Sequence, residues 1–329
     1  MQSCQFAAMK MVESSHSPVV QVDRIHKRFG RGTAVLDDVT FSIRRGEMVA
    51  LIGASGSGKS TLIRSIAGLV PLDRTTRRTS DGGNSILLFG QPMQRNGRID
   101  GAAQDMRART GVIFQQFNLV PRLSVLTNVC LGRLGQMPAM RGMFGNFTHE
   151  EMRAAMRALD RVGMAEHALK RGSELSGGQQ QRAAIARTLV QGAEFLIADE
   201  PIASLDPASA RRVMDILADM NRRDGITILV SLHQVDYALK YCPRTIALKR
   251  GAVAYDGPSS ALTPALLSDL YGAESGDLLL HNDPYPTRRH DGEAAHLPPA
   301  AHHSAADARH VQANGHRPFA LPMADRRTA

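Results

Sequence analysis

Four short stretches of this sequence carry residue types at spacings that can do chemistry. Residues 53–60, GASGSGKS, fit the pattern G-x-x-x-x-G-K-[ST]. Glycines let successive backbone N–H groups curl around phosphate oxygens. A lysine in the place of Lys59 reaches the β and γ phosphates, and a hydroxyl in the place of Ser60 ligates magnesium. The candidate phosphate cradle is Gly53, Ala54, Ser55, Gly56, Ser57, Gly58, Lys59, Ser60 and Thr61. The second stretch, residues 195–201 (FLIADEP), is an apolar run that delivers two carboxylates with separable tasks. Asp199 is suited to hold a magnesium shell and Glu200 to orient or deprotonate a water, although an acid pair after a strand also reads as a helix cap. The third, ILVSLHQVD, places His233 just past another apolar run, where it reads as structural or catalytic. In the fourth, residues 174–191 (ELSGGQQQRAAIARTLVQ), a serine and two glycines lead into helical sequence, an arrangement that lets an anion approach a positive helix end closely. One chain therefore carries two phosphate-binding signals about 120 residues apart in sequence.

The elements that must position these residues follow the rhythm of an α/β domain, with short apolar runs alternating with amphipathic segments from residue 19 to about 273. Buried strands are expected at Met48–Ile52, 195–198 and 226–231, each ending at polar or glycine-rich chemistry, and a helix at 61–67. Thr148 and Glu151 form a capping box, after which Met152, Ala155, Met156, Leu159 and Val162 share one helical face. Asp206 and Pro207 start another helix with Val213, Ile216, Leu217 and Met220 inward. These stripes read as core and carry no chemistry.

Composition bounds what the site can belong to. With 329 residues, 43% of them apolar, the chain can bury a sizeable core. Three cysteines at wide spacing suggest neither a disulfide framework nor a cysteine zinc site, and fit a reducing cytosol. No segment approaches the roughly 18 unbroken apolar residues needed to span a bilayer. A formal charge of +9 is compatible with nucleic acid, anionic lipid or plain solubility. The arginine-rich run at 74–109 lacks the interleaved aromatics of a single-strand binding groove and reads as a solvated surface. Residues 1–18 read as a flexible extension. Residues 274–329, rich in Ala, His, Pro and Arg without apolar periodicity, read as a disordered tail whose histidines show no ligand spacing.

Taken in order, GASGSGKST, GVIFQQFNL, LSGGQQQR, FLIADEP with SLD following, and SLHQ resemble the ATP-binding subunit of ABC transporters over residues 19–272. The resemblance implies a P-loop ATPase fold with a RecA-like core, an antiparallel β-subdomain and a helical subdomain at about 116–190, within an ATPase domain at 19–273. It implies ATP and Mg2+ as nucleotide and metal. By the same likeness Phe29, just before a glycine and ahead of the first strands, stacks on adenine. Gln115 contacts the metal and the attacking water and faces the membrane partner, residues 204–206 cross a dimer interface, and His233 senses the γ-phosphate. In that family two ATPase domains pair head to tail, so Ser176, Gly177, Gly178 and Gln179 serve the nucleotide of a neighbour. This answers the duplication: a chain with one of each half-site is expected to close two composite sites as a symmetric homodimer.

Three further stretches resemble the ATPase subunits of phosphonate importers: LGRLGQMPAMRGMFGNFTHEE, DEPIASLDPASARRVMDIL and SLHQVDYALKYCPRTIALKRG. That likeness implies an ATP hydrolase on the cytoplasmic face of the inner membrane, held there by transmembrane permease subunits and fed by an extracytoplasmic solute-binding protein, with no nucleic acid as partner. An importer for another anion, such as phosphite or phosphate, is the nearest alternative reading, and a soluble ABC-type ATPase acting on nucleic acid a more distant one. Relatives of the latter kind carry two ATPase units or a long coiled coil, and the sequence has neither. Met143, Phe144 and Phe147 form an apolar cluster expected either to dock a partner helix or to pack beneath the capping-box helix. The linker around 74–85 and the His-rich tail depart from the subfamily pattern.

Overall fold

The computed structural model describes residues 18–30, 32–74, 83–115 and 118–272. Residues 1–17 of the expected N-terminal extension, residues 75–82 of the arginine-rich linker and the expected tail lie outside the described residues, and Pro18, expected in the extension, opens the first strand.

Two sheets share the work. β1 (Pro18–Arg28), β2 (Ala34–Arg44), β4 (Ser85–Leu88), β5 (Gln91–Arg95) and β6 (Arg98–Ile99) form an antiparallel sheet in the order β2-β1-β4-β5-β6. The second sheet has the order β11-β10-β3-β9-β8-β7, built from β3 (Met48–Ile52), β7 (Thr110–Ile113), β8 (Phe195–Asp199), β9 (Thr227–Ser231), β10 (Arg244–Lys249) and β11 (Ala252–Pro258). All of its neighbours run parallel except the edge pair β10–β11. A parallel sheet covered on both faces reads as unbroken apolar runs, and β3, β8 and β9 are buried at every position. Alternate residues of one strand serve different cores. Val49 and Leu51 join the layer between the two sheets, with Leu62, Ile63 and Ile66 of α1 (Lys59–Ile66), whereas Met48, Ala50 and Ile52 join the opposite layer.

That opposite layer continues into the helical part. α3 (Val125–Cys130), α5 (His149–Arg161) and α6 (Gly177–Gln191) pack on one another, and the short α4 (Ala139–Met143) precedes α5 in the chain, whereas α2 (Ala103–Arg109) packs on β5 and β7 and sends Ala103 and Met106 into the layer between the sheets. The expected capping box at Thr148 is present: its hydroxyl accepts from Glu151 N at 3.2 Å and Glu151 Oε2 accepts from Thr148 N at 2.7 Å. Ala155, Leu159 and Val162 are buried, with Met152 and Met156 packed against the same core. α7 (Pro207–Asp224) starts at Asp206, whose carboxylate accepts from Ala208 N and Ser209 N at 3.0 Å each. Val213, Leu217 and Met220 are buried and Ile216 packs beside them. α8 (Val235–Tyr241) and α9 (Pro264–Tyr271) complete the chain order. Among the described residues no helix is long and apolar enough to cross a membrane.

Three expectations shift in detail. The helix after the cradle starts at Lys59 rather than residue 61, because Gly58, at φ 104°, ends the loop two residues earlier. Phe29 follows β1 instead of preceding the first strands, since residues 18–28 already pair with β2. The apolar cluster divides: Met143 and Phe144 are 71% and 72% exposed, whereas Phe147 packs on the main core. Phe147 directly precedes the Thr148 cap, the position from which an apolar residue staples the chain entering a helix.

Candidate functional site

The parallel strands end on one edge of the sheet, and chain topology decides which ends are neighbours. β9 lies between β3 and β8, so the cradle that follows β3, the Ser231–His233 segment at the end of β9 and the acid pair at the end of β8 meet at one crevice. Ligands of open parallel sheets bind at such carboxyl ends.

The cradle is held by backbone packing more than by side chains. Gly53 sits at φ 146°, and a Cβ there would lie 2.3 Å from Leu248 O. Gly58 at φ 104° would place a Cβ 2.6 Å from Val35 O. Any side chain at either position displaces main chain. Lys59 is buried, and its Nζ donates to Gly53 O at 2.7 Å and Ala54 O at 3.2 Å. The buried Ser57 hydroxyl has no hydrogen-bond partner among the described residues. A buried ammonium held by the loop's own carbonyls, with an unsatisfied hydroxyl in the same loop, fits a polyanionic phosphate chain.

The acids stand opposite. Ser60 Oγ donates to Asp199 Oδ1 at 3.4 Å, and Ser231 Oγ donates to the same oxygen at 2.9 Å. Burial raises the Asp199 carboxyl, opposed by the Ser231 hydrogen bond, and the neighbouring Glu200 adds to the rise while Arg64 and Ser60 oppose it. Desolvation wins, so this carboxylate gains from a cation placed against it. A hydroxyl and a carboxylate converging as hard oxygen donors suit a magnesium ion, and Ser60 and Asp199 are the residues that fit it. Glu200 has φ 51°, uncommon for a side chain with a Cβ. Its N–H donates to Ser231 Oγ at 2.8 Å, and its Oε1 lies 2.5 Å from His233 Nε2. A carboxylate only accepts, so the imidazole donates and holds Glu200 in place.

Val35, Ser55, Gly56, Ser57, Gly58, Lys59, Ser60, Thr61, Glu200 and His233 line one cleft of about 210 Å³. Ser176, Gly177, Gly178, Gln179, Phe29 and Gln115 do not line it. The signature instead caps α6. Ser176 Oγ accepts from Gln179 N at 3.4 Å, Gln179 Oε1 accepts from Ser176 N at 2.9 Å, and Gln179 Nε2 lies 2.9 Å from His167 Nε2. The starts of α6 and α7 abut: a Cβ on Gly178 would lie 2.8 Å from Ser209 Oγ. Phe29 is 54% exposed, with Lys27 Nζ 5.1 Å from its ring centroid, and Gln115 is exposed. Sequence reasoning missed Ser231, whose signal was a polar residue ending the apolar run 228–230 of a buried strand. It also missed Val35 and Tyr271, whose hydroxyl accepts from Gly53 N at 3.2 Å, and no local pattern points to either.

A phosphate loop between strand and helix of a parallel sheet, facing an acid pair and a histidine, defines a P-loop nucleoside triphosphatase. The family described as ABC transporter matches residues 36–203. The phosphonates import ATP-binding protein PhnC of Stutzerimonas stutzeri is 58% identical over 264 residues, which span 80% of this chain and 93% of that protein. Its namesake from Paraburkholderia xenovorans is 54% identical over 79% of this chain and 84% of that protein. Among solved structures, the dimeric structure of MJ0796, a bacterial ABC transporter cassette, matches at TM-score 0.62 with 30% identity, covering 74% of this chain and all of that one. The post-hydrolysis form of the same cassette, bound to ADP and Pi, matches at TM-score 0.60. The chain belongs to the ABC transporter family, as an ATP-binding subunit.

Proposed function

We propose that this chain is the ATP-hydrolysing subunit that powers import of phosphonates through a membrane ABC transporter. The observation that carries the hydrolytic half is the cleft in which the cradle, Glu200 and His233 face one another. The cargo rests on likeness to proteins named for phosphonate import at more than half identity over most of their length.

In this reading the cradle N–H groups and Lys59 hold the triphosphate. Transfer of a phosphoryl group to water needs positioning and charge neutralisation more than covalent help. Glu200 orients the attacking water and takes its proton, while His233 fixes the Glu200 carboxylate in the line of attack. Ser60 and Asp199, with Gln115 brought in on closure, would hold a magnesium ion, which would supply charge neutralisation at the phosphates. Ser176, Gly177, Gly178 and Gln179 lie outside the cleft of their own chain, which supports a head-to-tail homodimer in which each signature covers the partner's nucleotide and Phe29 receives adenine. The helical segment at about 116–190 faces the permease, with Met143 and Phe144 as an exposed apolar contact. The subunit then sits peripherally on the cytoplasmic face of the inner membrane, and the permease receives cargo from a solute-binding protein.

Growth on a phosphonate as sole phosphorus source tests the whole reading. A deletion strain is expected to fail, the wild-type gene to restore growth and Glu200→Gln to leave it failing. Unimpaired growth of the deletion strain overturns the cargo assignment. A growth defect on phosphite or phosphate alone moves the assignment to that anion.

A further inference from the structure

Ser231 ends β9 with no exposed surface, beside Asp199 in the sheet register, and it does not line the nucleotide cleft. Its single hydroxyl makes two short bonds, giving its proton to Asp199 Oδ1 at 2.9 Å and accepting the Glu200 N–H at 2.8 Å. The acceptor bond falls on the one backbone amide at the turn where Glu200 adopts φ 51°. An unanchored residue with a Cβ has lower-energy conformations available than the left-handed one. The donor bond falls on the oxygen that Ser60 reaches only at 3.4 Å. One hydroxyl thus fixes the side chain of the first carboxylate and the backbone of the second.

We propose that Ser231 is a positioning residue for ATP hydrolysis, setting the metal-holding carboxylate of Asp199 and the water-orienting carboxylate of Glu200 in mutual register from the strand between them and the cradle. The inference rests on the site reading given under Proposed function. Ser231 is buried and does not line the cleft, so its removal acts on turnover and on the response to magnesium while leaving the cradle's grip on nucleotide intact.

The test uses the full-length chain as wild type, Ser231→Ala, Ser231→Thr and Glu200→Gln. ATP turnover, affinity for a fluorescent ATP analogue with EDTA and with magnesium, and melting temperature are measured on each. Ser231→Ala is expected to lower kcat about tenfold, the effect of one lost hydrogen bond to a charged group. Its metal-free analogue affinity should stay within about twofold of wild type, and the affinity gained on adding magnesium should shrink. Ser231→Thr keeps the hydroxyl in a strand that accepts β-branching and should recover most of the turnover. Wild-type kcat and magnesium response in Ser231→Ala overturn the proposal. So does a loss shared equally by the alanine and threonine variants, or one that follows a fall in melting temperature with metal-free binding lost as well, because packing rather than the hydroxyl is then the cause. Near-normal turnover by Glu200→Gln would instead sink the site reading itself.

Discussion

The two phosphate-binding segments are built in different ways. The cradle at 53–61 is closed over by its own chain: two glycines lie against the main chain of Leu248 and Val35, the lysine is buried, and Glu200 and His233 face it across a cleft. The signature at 176–179 is a helix start whose capping box takes up the N–H groups of Ser176 and Gln179 and leaves Ser176 exposed. The first segment is preorganised to grip an anion without help. The second offers a helix dipole worth ~0.3–1 kcal/mol at an exposed end, too little to hold a nucleotide alone.

The largest break in that comparison comes from Glu200→Gln, which keeps the shape of the cleft and removes its base. Turnover should fall about 10²- to 10⁴-fold with ATP still bound, and the variant should accumulate as an ATP-bound dimer on sizing chromatography. Near-normal turnover removes Glu200 from its role.

Next in size, Lys59→Ala should weaken ATP binding roughly 10- to 100-fold through loss of a charge-assisted contact, whereas Ser176→Arg should leave binding to the monomer intact and block the dimer. Mixed together, the two inactive variants are expected to regain measurable turnover. The heterodimer retains one composite site, made by the cradle of the Ser176 variant and the signature of the Lys59 variant. No recovery on mixing would mean that each signature serves its own chain.

Phe144→Asp should spare the ATPase of the isolated chain and abolish co-purification with the permease. A misfolded variant would place Phe144 with Phe147 in the core.

A smaller effect sharpens the contrast from the signature side. Gly178→Ala crowds Ser209 and should cost about 1–3 kcal/mol of stability, the usual range for overpacking, and Ser209→Gly in the same chain should return most of it. Thermal denaturation of the single and double variants measures this directly. The smallest effect is expected from truncation after Gly276, which should leave melting temperature and ATPase rate unchanged.

Sequence alone determined whatever is local or repeats along the chain. The strand, loop and helix around 53–60 were legible because only glycines tolerate that backbone, and the Thr148 and Asp206 caps because side-chain oxygens meet N–H groups two or three residues ahead. The apolar stripes of α5 and α7 were legible because helical periodicity places them on one face. The expected site roles rest on residue type and order, since Lys59, Asp199, Glu200 and His233 each end or follow a strand of the kind a phosphate site requires. What tertiary structure alone decided is adjacency. β9 runs between β3 and β8, which puts Ser231 beside Asp199 although 32 residues separate them. The start of α6 meets the start of α7, and the Tyr271 hydroxyl reaches Gly53 across 218 residues. The division of the apolar cluster, with Phe147 packed and Phe144 exposed, was equally illegible. Two aromatics three residues apart have the same chemistry, and only the surface that the folded core leaves open decides which of them it covers.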